Sequence, residues 1–192
     1  MRDLSRPEEG LWKFVVGLLL TFLAASFFGY AYSLHNPSNT FEIVRKLAER
    51  MGSPPSSDFH TFIRIFTNNT MVALISMLSG LLFGVGPWLI MAFNGFIAGV
   101  VVGFVTGTGK YSFTQTLLGL VPHGVIEIPA LAIAGASGIL WYREIVKGEG
   151  DGAERFKRGM KKALTLFALS VLLLLIAALI ETYITPKVSG IH

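Results

Sequence analysis

Residues 119–135 read GLVPHGVIEIPALAIAG, and two of them can do chemistry: His123 and Glu127, set between Pro122 and Pro129. Four residues apart, they share one face of a helix. An imidazole and a carboxylate at that spacing admit three readings. They can form a hydrogen-bonded clasp that fixes a helix bundle. They can be two ligands of a divalent metal such as zinc, the rest coming from elsewhere or from water. They can also pass a proton or an ion, with Glu127 as the binding carboxyl and His123 as its acceptor. The prolines add to this, because each removes a backbone donor and frees the carbonyl four residues before it, Leu118 and Val125. A kink or local opening is therefore expected beside the pair.

The surrounding chain explains why these side chains stand out. Of the 192 residues 52% are hydrophobic and 15% charged, with long runs free of charge. That is the composition of a polytopic membrane protein. There is no cysteine, so neither disulfides nor thiolate chemistry are available. The net charge of +4 is not a nucleic-acid signature, since the basic residues cluster beside apolar runs, where they set topology. The expected partners are the lipid bilayer and other membrane or cell-envelope proteins, not nucleic acid.

Five apolar runs are long enough to span, at roughly 12–34, 67–85, 87–107, 114–141 and 162–184. They predict an all-α membrane bundle forming a single integral membrane domain over residues 1–192. The first run is too long for the apolar core of a signal peptide and is expected to be retained. Segment 35–66 lies outside the spans, with two amphipathic pieces. In the first, Asn39 can cap a helix with Glu42 three residues on. In the second, Phe59, Phe62, Ile63 and Phe66 share a face. Both pieces can lie in the membrane interface or pack on each other as a small cap. GVGP makes a tight hairpin of the second and third spans, and residues 143–162 read as a solvated loop.

That loop and its helix ends carry Arg143, Lys147, Arg155, Lys157, Arg158, Lys161 and Lys162, and the amino-terminus carries Arg2, Arg6 and Lys13. Five spans put both on one side, expected to be cytoplasmic, with the carboxy-terminus outside.

Small residues recur every four positions: Ser76, Gly80 and Gly84 on the second span, and Gly95, Gly99, Gly103 and Gly107 on the third. Bare helix faces allow close backbone approach, the main source of adhesion in lipid. The second and third helices are therefore expected to be central, and a homo-oligomer is plausible. Counting the helical rise from residue 114 puts His123 about 14 Å and Glu127 about 20 Å from the outer face, and Asn94 about 18 Å from it. If their helices touch, the three share one buried site. Asn68 and Asn69 enter the second span, where Thr67 or Asn68 can act as a helix N-cap. Glu181, near the outer end of the fifth span, is expected to reach water or the membrane interface.

Taken together, Asn68 and Asn69, the glycines Gly84 and Gly86, Asn94-Gly95, and Pro122-His123-Gly124 followed by Glu127 and Pro129-Ala130 resemble the stage II sporulation protein M family. The resemblance covers residues 60–142 and, more loosely, the whole chain by helix order. It implies an integral membrane protein with an intramembrane polar motif. In spore-formers the family member acts beside two peptidoglycan-remodelling proteins as their membrane scaffold. The leading expectation is thus a non-enzymatic scaffold or assembly factor. The alternatives are a metal-dependent intramembrane hydrolase, with His123 as ligand and Glu127 as ligand or general base, and a small ion- or proton-coupled transporter.

Overall fold

The computed structural model describes residues 7–52, 57–109 and 111–189. These form seven helices in chain order: α1 (Pro7–His35), α2 (Pro37–Met51), α3 (Asp58–Ser79), α4 (Gly86–Gly107), α5 (Phe113–Lys147), α6 (Gly152–Tyr183) and α7 (Thr185–Ser189). Among the described residues there are no strands, and five helices (α1, α3, α4, α5 and α6) are long and apolar enough to cross a membrane. Large apolar side chains such as Leu20, Leu23, Phe27 and Phe28 on α1 face outward, as a lipid-facing wall requires.

The axis of the bundle is α5, which touches α1, α3, α4, α6 and α7. This corrects the expectation that the second and third spans form the centre. Residues 130–139, ALAIAGASGI, are buried throughout. Alanine, glycine and serine on every face let several helices approach at once. At the crossing with α3, a Cβ on Gly138 would fall on the Met77 carbonyl, and one on Gly80 would fall on the Gly138 backbone. Ser76 faces the same helix, 2.9 Å from where a Cβ on Gly135 would lie.

The glycines of α4 serve a different partner. A Cβ at Gly95 would overlap the Phe22 carbonyl, and one at Gly99 the Ser26 carbonyl. One at Gly103 would sit 2.5 Å from the Ser33 hydroxyl. The most extensive helix pair is therefore α1 with α4, while α3 and α4 touch only slightly. Gly107 has nothing within 4 Å of a would-be Cβ and glues no described neighbour. Gly84 is a turn residue with φ +74°, following Phe83 at φ +55°, and its left-handed backbone helps reverse the chain into α4.

The extramembrane pieces also differ from expectation. Helix α2 starts at Pro37, not after Asn39, because proline at the first helical position has its φ preset and needs no donor. Asn36 holds the boundary position, but its amide bonds back to the Tyr32 carbonyl at 3.1 Å and caps nothing. Glu42–Lys46 (2.7 Å) and Arg45–Glu49 (3.1 Å) pair along the exposed side. The hydrogen bond from Lys46 holds the Glu42 carboxyl below its ordinary range. Thr40 is buried and the Phe41 ring packs 6.3 Å from Phe104, so α2 is docked on the end of α4. The second amphipathic piece is no separate helix. Ser57 caps it, accepting from the His60 backbone at 3.4 Å, and it runs without a break into the second span.

At the other end the expected loop over 143–162 is mostly helix: α5 continues to Lys147 and α6 starts at Gly152 with Asp151 as its cap. The ends pack together. The Trp141 indole donates to the Phe156 carbonyl at 3.2 Å, its ring lies 5.2 Å from the Phe156 ring, and Glu144 pairs with Arg158 (2.6 Å) and Lys162 (3.7 Å).

Candidate functional site

Helix α5 carries the polar motif, and its start is firmly set. Ser112 and Gln115 form a reciprocal capping box, with the Gln115 backbone on the Ser112 hydroxyl at 3.2 Å and the Ser112 backbone on the Gln115 side chain at 2.9 Å. Both Pro122 and Pro129 lie inside a helix that runs unbroken from Phe113 to Lys147. The expected local opening does not interrupt it.

Glu127 meets α3. Asn69, only 9% exposed, hydrogen bonds to Glu127 through its side chain. Asn68 donates to the Asn69 carbonyl oxygen at 3.3 Å, which leaves the Asn69 amide nitrogen as the donor toward Glu127. Neither asparagine caps a helix. Both sit inside α3, three turns past its true cap at Ser57, and their side chains form a short polar relay between two spans. Among the described residues the hydrogen-bond partner of Glu127 is thus an amide.

Asn94 does not join them. Its amide donates to the Ile90 carbonyl of its own helix at 2.8 Å. It lines a separate groove of about 340 Å³ between α3 and α4, walled by Val72, Ile75, Leu89, Ile90 and Phe93. The shared site of Glu127 and Asn94 expected from depth alone is thus replaced by Asn68, Asn69 and Glu127, because α4 turns its small-residue face to α1. His123 lies within α5 one turn before Glu127, and its side chain falls outside the described residues. Among the described residues no three His, Asp or Glu side chains gather as a metal would need.

The acid that sequence reasoning passed over is Glu181. Expected to reach water or the interface, it lines a cavity of about 320 Å³ between the ends of α4, α5 and α6 and is also an electrostatic neighbour of Glu127. The cavity also takes in Tyr111, Thr116 and Thr185. The signal was present as a single acid in an otherwise apolar run, with Thr185 four residues on. What puts Glu181 beside Glu127 is the contact between α6 and α5, which no local pattern encodes.

These features can be set against known proteins. A family model described as Stage II sporulation protein M matches residues 15–186. The chain is 33% identical over 137 residues to the uncharacterized protein MJ0793 of Methanocaldococcus jannaschii, covering 70% of this chain and 76% of that protein. It is 26% identical over 186 residues to the uncharacterized protein MJ0706 of the same organism, covering 93% of this chain and 80% of that protein. No solved structure matches. The match spans all five long apolar helices and the asparagine, glycine and glutamate positions described above, and the chain is a multi-pass membrane protein of the stage II sporulation protein M family.

Proposed function

We propose that this protein is a non-enzymatic membrane scaffold that holds another membrane protein through the groove between α3 and α4. The observation that carries this reading is the groove itself. Two consecutive spans that touch only slightly leave a lipid-facing furrow of about 340 Å³, apolar except for Asn94. The amide nitrogen of Asn94 is engaged by Ile90, while its carbonyl oxygen keeps lone pairs for a donor from outside. A transmembrane helix with small residues and one polar side chain suits such a surface. The Asn68, Asn69 and Glu127 relay then serves to fix one wall of the furrow, α3, to the central helix α5. Gly95, Gly99 and Gly103 of α4 are taken up by α1, so they are not the face through which a second copy would pack, and this groove is the surface proposed for it as well. The arrangement proposed in the membrane has the amino-terminus and the α5–α6 hairpin in the cytoplasm and the carboxy-terminus outside.

A photo-crosslinking residue placed at Ile75 or Phe93 in native membranes tests this. The expected result is a discrete protein adduct at both positions, none at lipid-facing Leu20, and loss of the adduct when Leu89→Trp fills the groove. An adduct of twice the chain mass would make the occupant a second copy. Lipid adducts alone at all three positions would sink the scaffold reading.

A further inference from the structure

We propose that the outward face of α6 binds one anionic phospholipid, with Lys157 and Lys161 on its phosphate and an acyl chain along Leu164, Ala168 and Leu172. This goes beyond the scaffold reading and concerns a different face of the bundle. Several cations of the α5–α6 hairpin are already engaged. Arg143 lies 5.4 Å from the Phe14 ring, and Arg158 reaches Glu144 and the Glu149 carbonyl, each at 2.6 Å. Lys162 reaches Glu144 at 3.7 Å. Lys157 and Lys161 are different: both are exposed, and neither makes an ion pair among the described residues. Four residues apart, they share one side of α6. It is the side turned away from α5, whose Trp141 lies over Gly159 on the opposite side, where Ala163 is buried. Glu154, the acid nearest in sequence to Lys157, lies almost a turn further from the apolar stretch and pairs with neither lysine.

Depth and register decide the ligand. From residue 163 to residue 180 α6 carries no charge. That stretch is about 27 Å of helix, close to the ~30 Å thickness of a hydrocarbon core. Lys161 therefore stands at the core boundary and Lys157 one turn beyond it, at the depth of lipid phosphates, which a flexible lysine stem can reach. Along the same face, on the core side of the lysines, Leu164 (48%), Ala168 and Leu172 (60%) are exposed. Lys161 and Leu172 are about 16 Å apart along the axis, roughly one leaflet of the core. Two unpaired ammonium groups above an aliphatic stripe one leaflet long match a phosphate above its acyl chain. The charge bias that orients a chain needs only enough cations on one side. It does not require two of them to be left without an acid and set in line with such a stripe.

The test is native mass spectrometry of the full chain in a non-ionic detergent, titrated with phosphatidylglycerol, with phosphatidylcholine of the same acyl chains as the zwitterionic control. The expected result is one saturable phosphatidylglycerol adduct at concentrations where phosphatidylcholine gives none. Affinity should fall about tenfold or more when Lys157→Gln and Lys161→Gln are combined, since each lysine near a phosphate contributes to the attraction. Lys161→Gln alone should show a smaller loss and decides the matter should the double variant fail to fold. Arg45→Gln combined with Lys46→Gln removes the same charge from α2 and should bind as the wild type does. Glycerol phosphate, the headgroup without its chains, should give no adduct. Equal binding of the two lipids, wild-type affinity in the folded lysine variants, or an equal loss in the α2 variant overturns the proposal, the last by reducing it to general attraction. A glycerol phosphate adduct of the same affinity overturns it too, because the occupant would then be a free phosphate. The α3/α4 groove is untouched by these variants, so failure here is distinguishable from failure of the scaffold reading.

Discussion

Asn69 and Glu127 join α3 to the central helix by a side-chain hydrogen bond, and Asn68 orients it by donating to the far end of the Asn69 amide. Such bonds between spans contribute modestly, because each group finds other partners when the helices separate within the membrane. The coupling in an Asn69→Ala, Glu127→Ala double-mutant cycle is expected at about 1 kcal/mol. Glu127→Gln keeps the shape and one acceptor oxygen, so it should lose less than Glu127→Ala. Reversible unfolding in bicelles measures both. A coupling indistinguishable from zero would mean that the bond does no work in holding the spans together.

The glycines of α4 separate packing from mere periodicity. A methyl group at Gly99 would overlap the Ser26 carbonyl, which belongs to a backbone and cannot rotate away. Gly99→Ala should therefore force α1 and α4 apart and cost on the order of 1–3 kcal/mol. Gly107→Ala meets nothing within 4 Å, and its change should stay within about 0.5 kcal/mol. Thermal unfolding of the two variants side by side checks this. Equal losses would show that the four-residue repeat, and not the contact with α1, carries the stability.

These two cases also show what was legible in the sequence. Five helices of spanning length follow from apolar run length alone, a property of each segment by itself. The bare faces at Gly95, Gly99 and Gly103 were equally visible, but not their partner, since α1 and α3 were equally eligible and only tertiary packing chose. Asn68 and Asn69 looked like a helix start because asparagine favours caps, yet Ser57 had already begun the helix and the two were free to bond sideways. Glu181 was legible as an unusual acid and not as a site residue, because its neighbours Thr116 and Glu127 are far from it in sequence.

The α5–α6 hairpin contains one contact that should matter and one that should not. Trp141→Phe keeps most of the ring packing on Phe156 and loses the indole bond to the Phe156 carbonyl at 3.2 Å. A loss of about 1 kcal/mol is expected, independent of salt. Glu144→Gln breaks pairs with Arg158 and Lys162, whose side chains are 42% and 53% exposed. Solvent screens such pairs, so the effect should stay below about 1 kcal/mol and shrink further at high salt. Thermal unfolding at low and high sodium chloride separates the two, and a large, salt-sensitive loss in Glu144→Gln would reverse the ranking.

The proposed orientation can be read out directly, because the chain has no cysteine and any introduced thiol is unique. Lys157 lies on the basic α5–α6 hairpin, exposed and beyond the apolar stretch of α6. Glu42 lies on the exposed side of α2, which follows the first span directly. An odd number of crossings separates the two. With the hairpin in the cytoplasm, Glu42→Cys should react with a membrane-impermeant maleimide added to intact cells, and Lys157→Cys only after the membrane is opened. The reverse pattern would invert the topology and put the Glu181 cavity at the cytoplasmic face. Labelling of both from one side would mean that one of the five long helices does not cross.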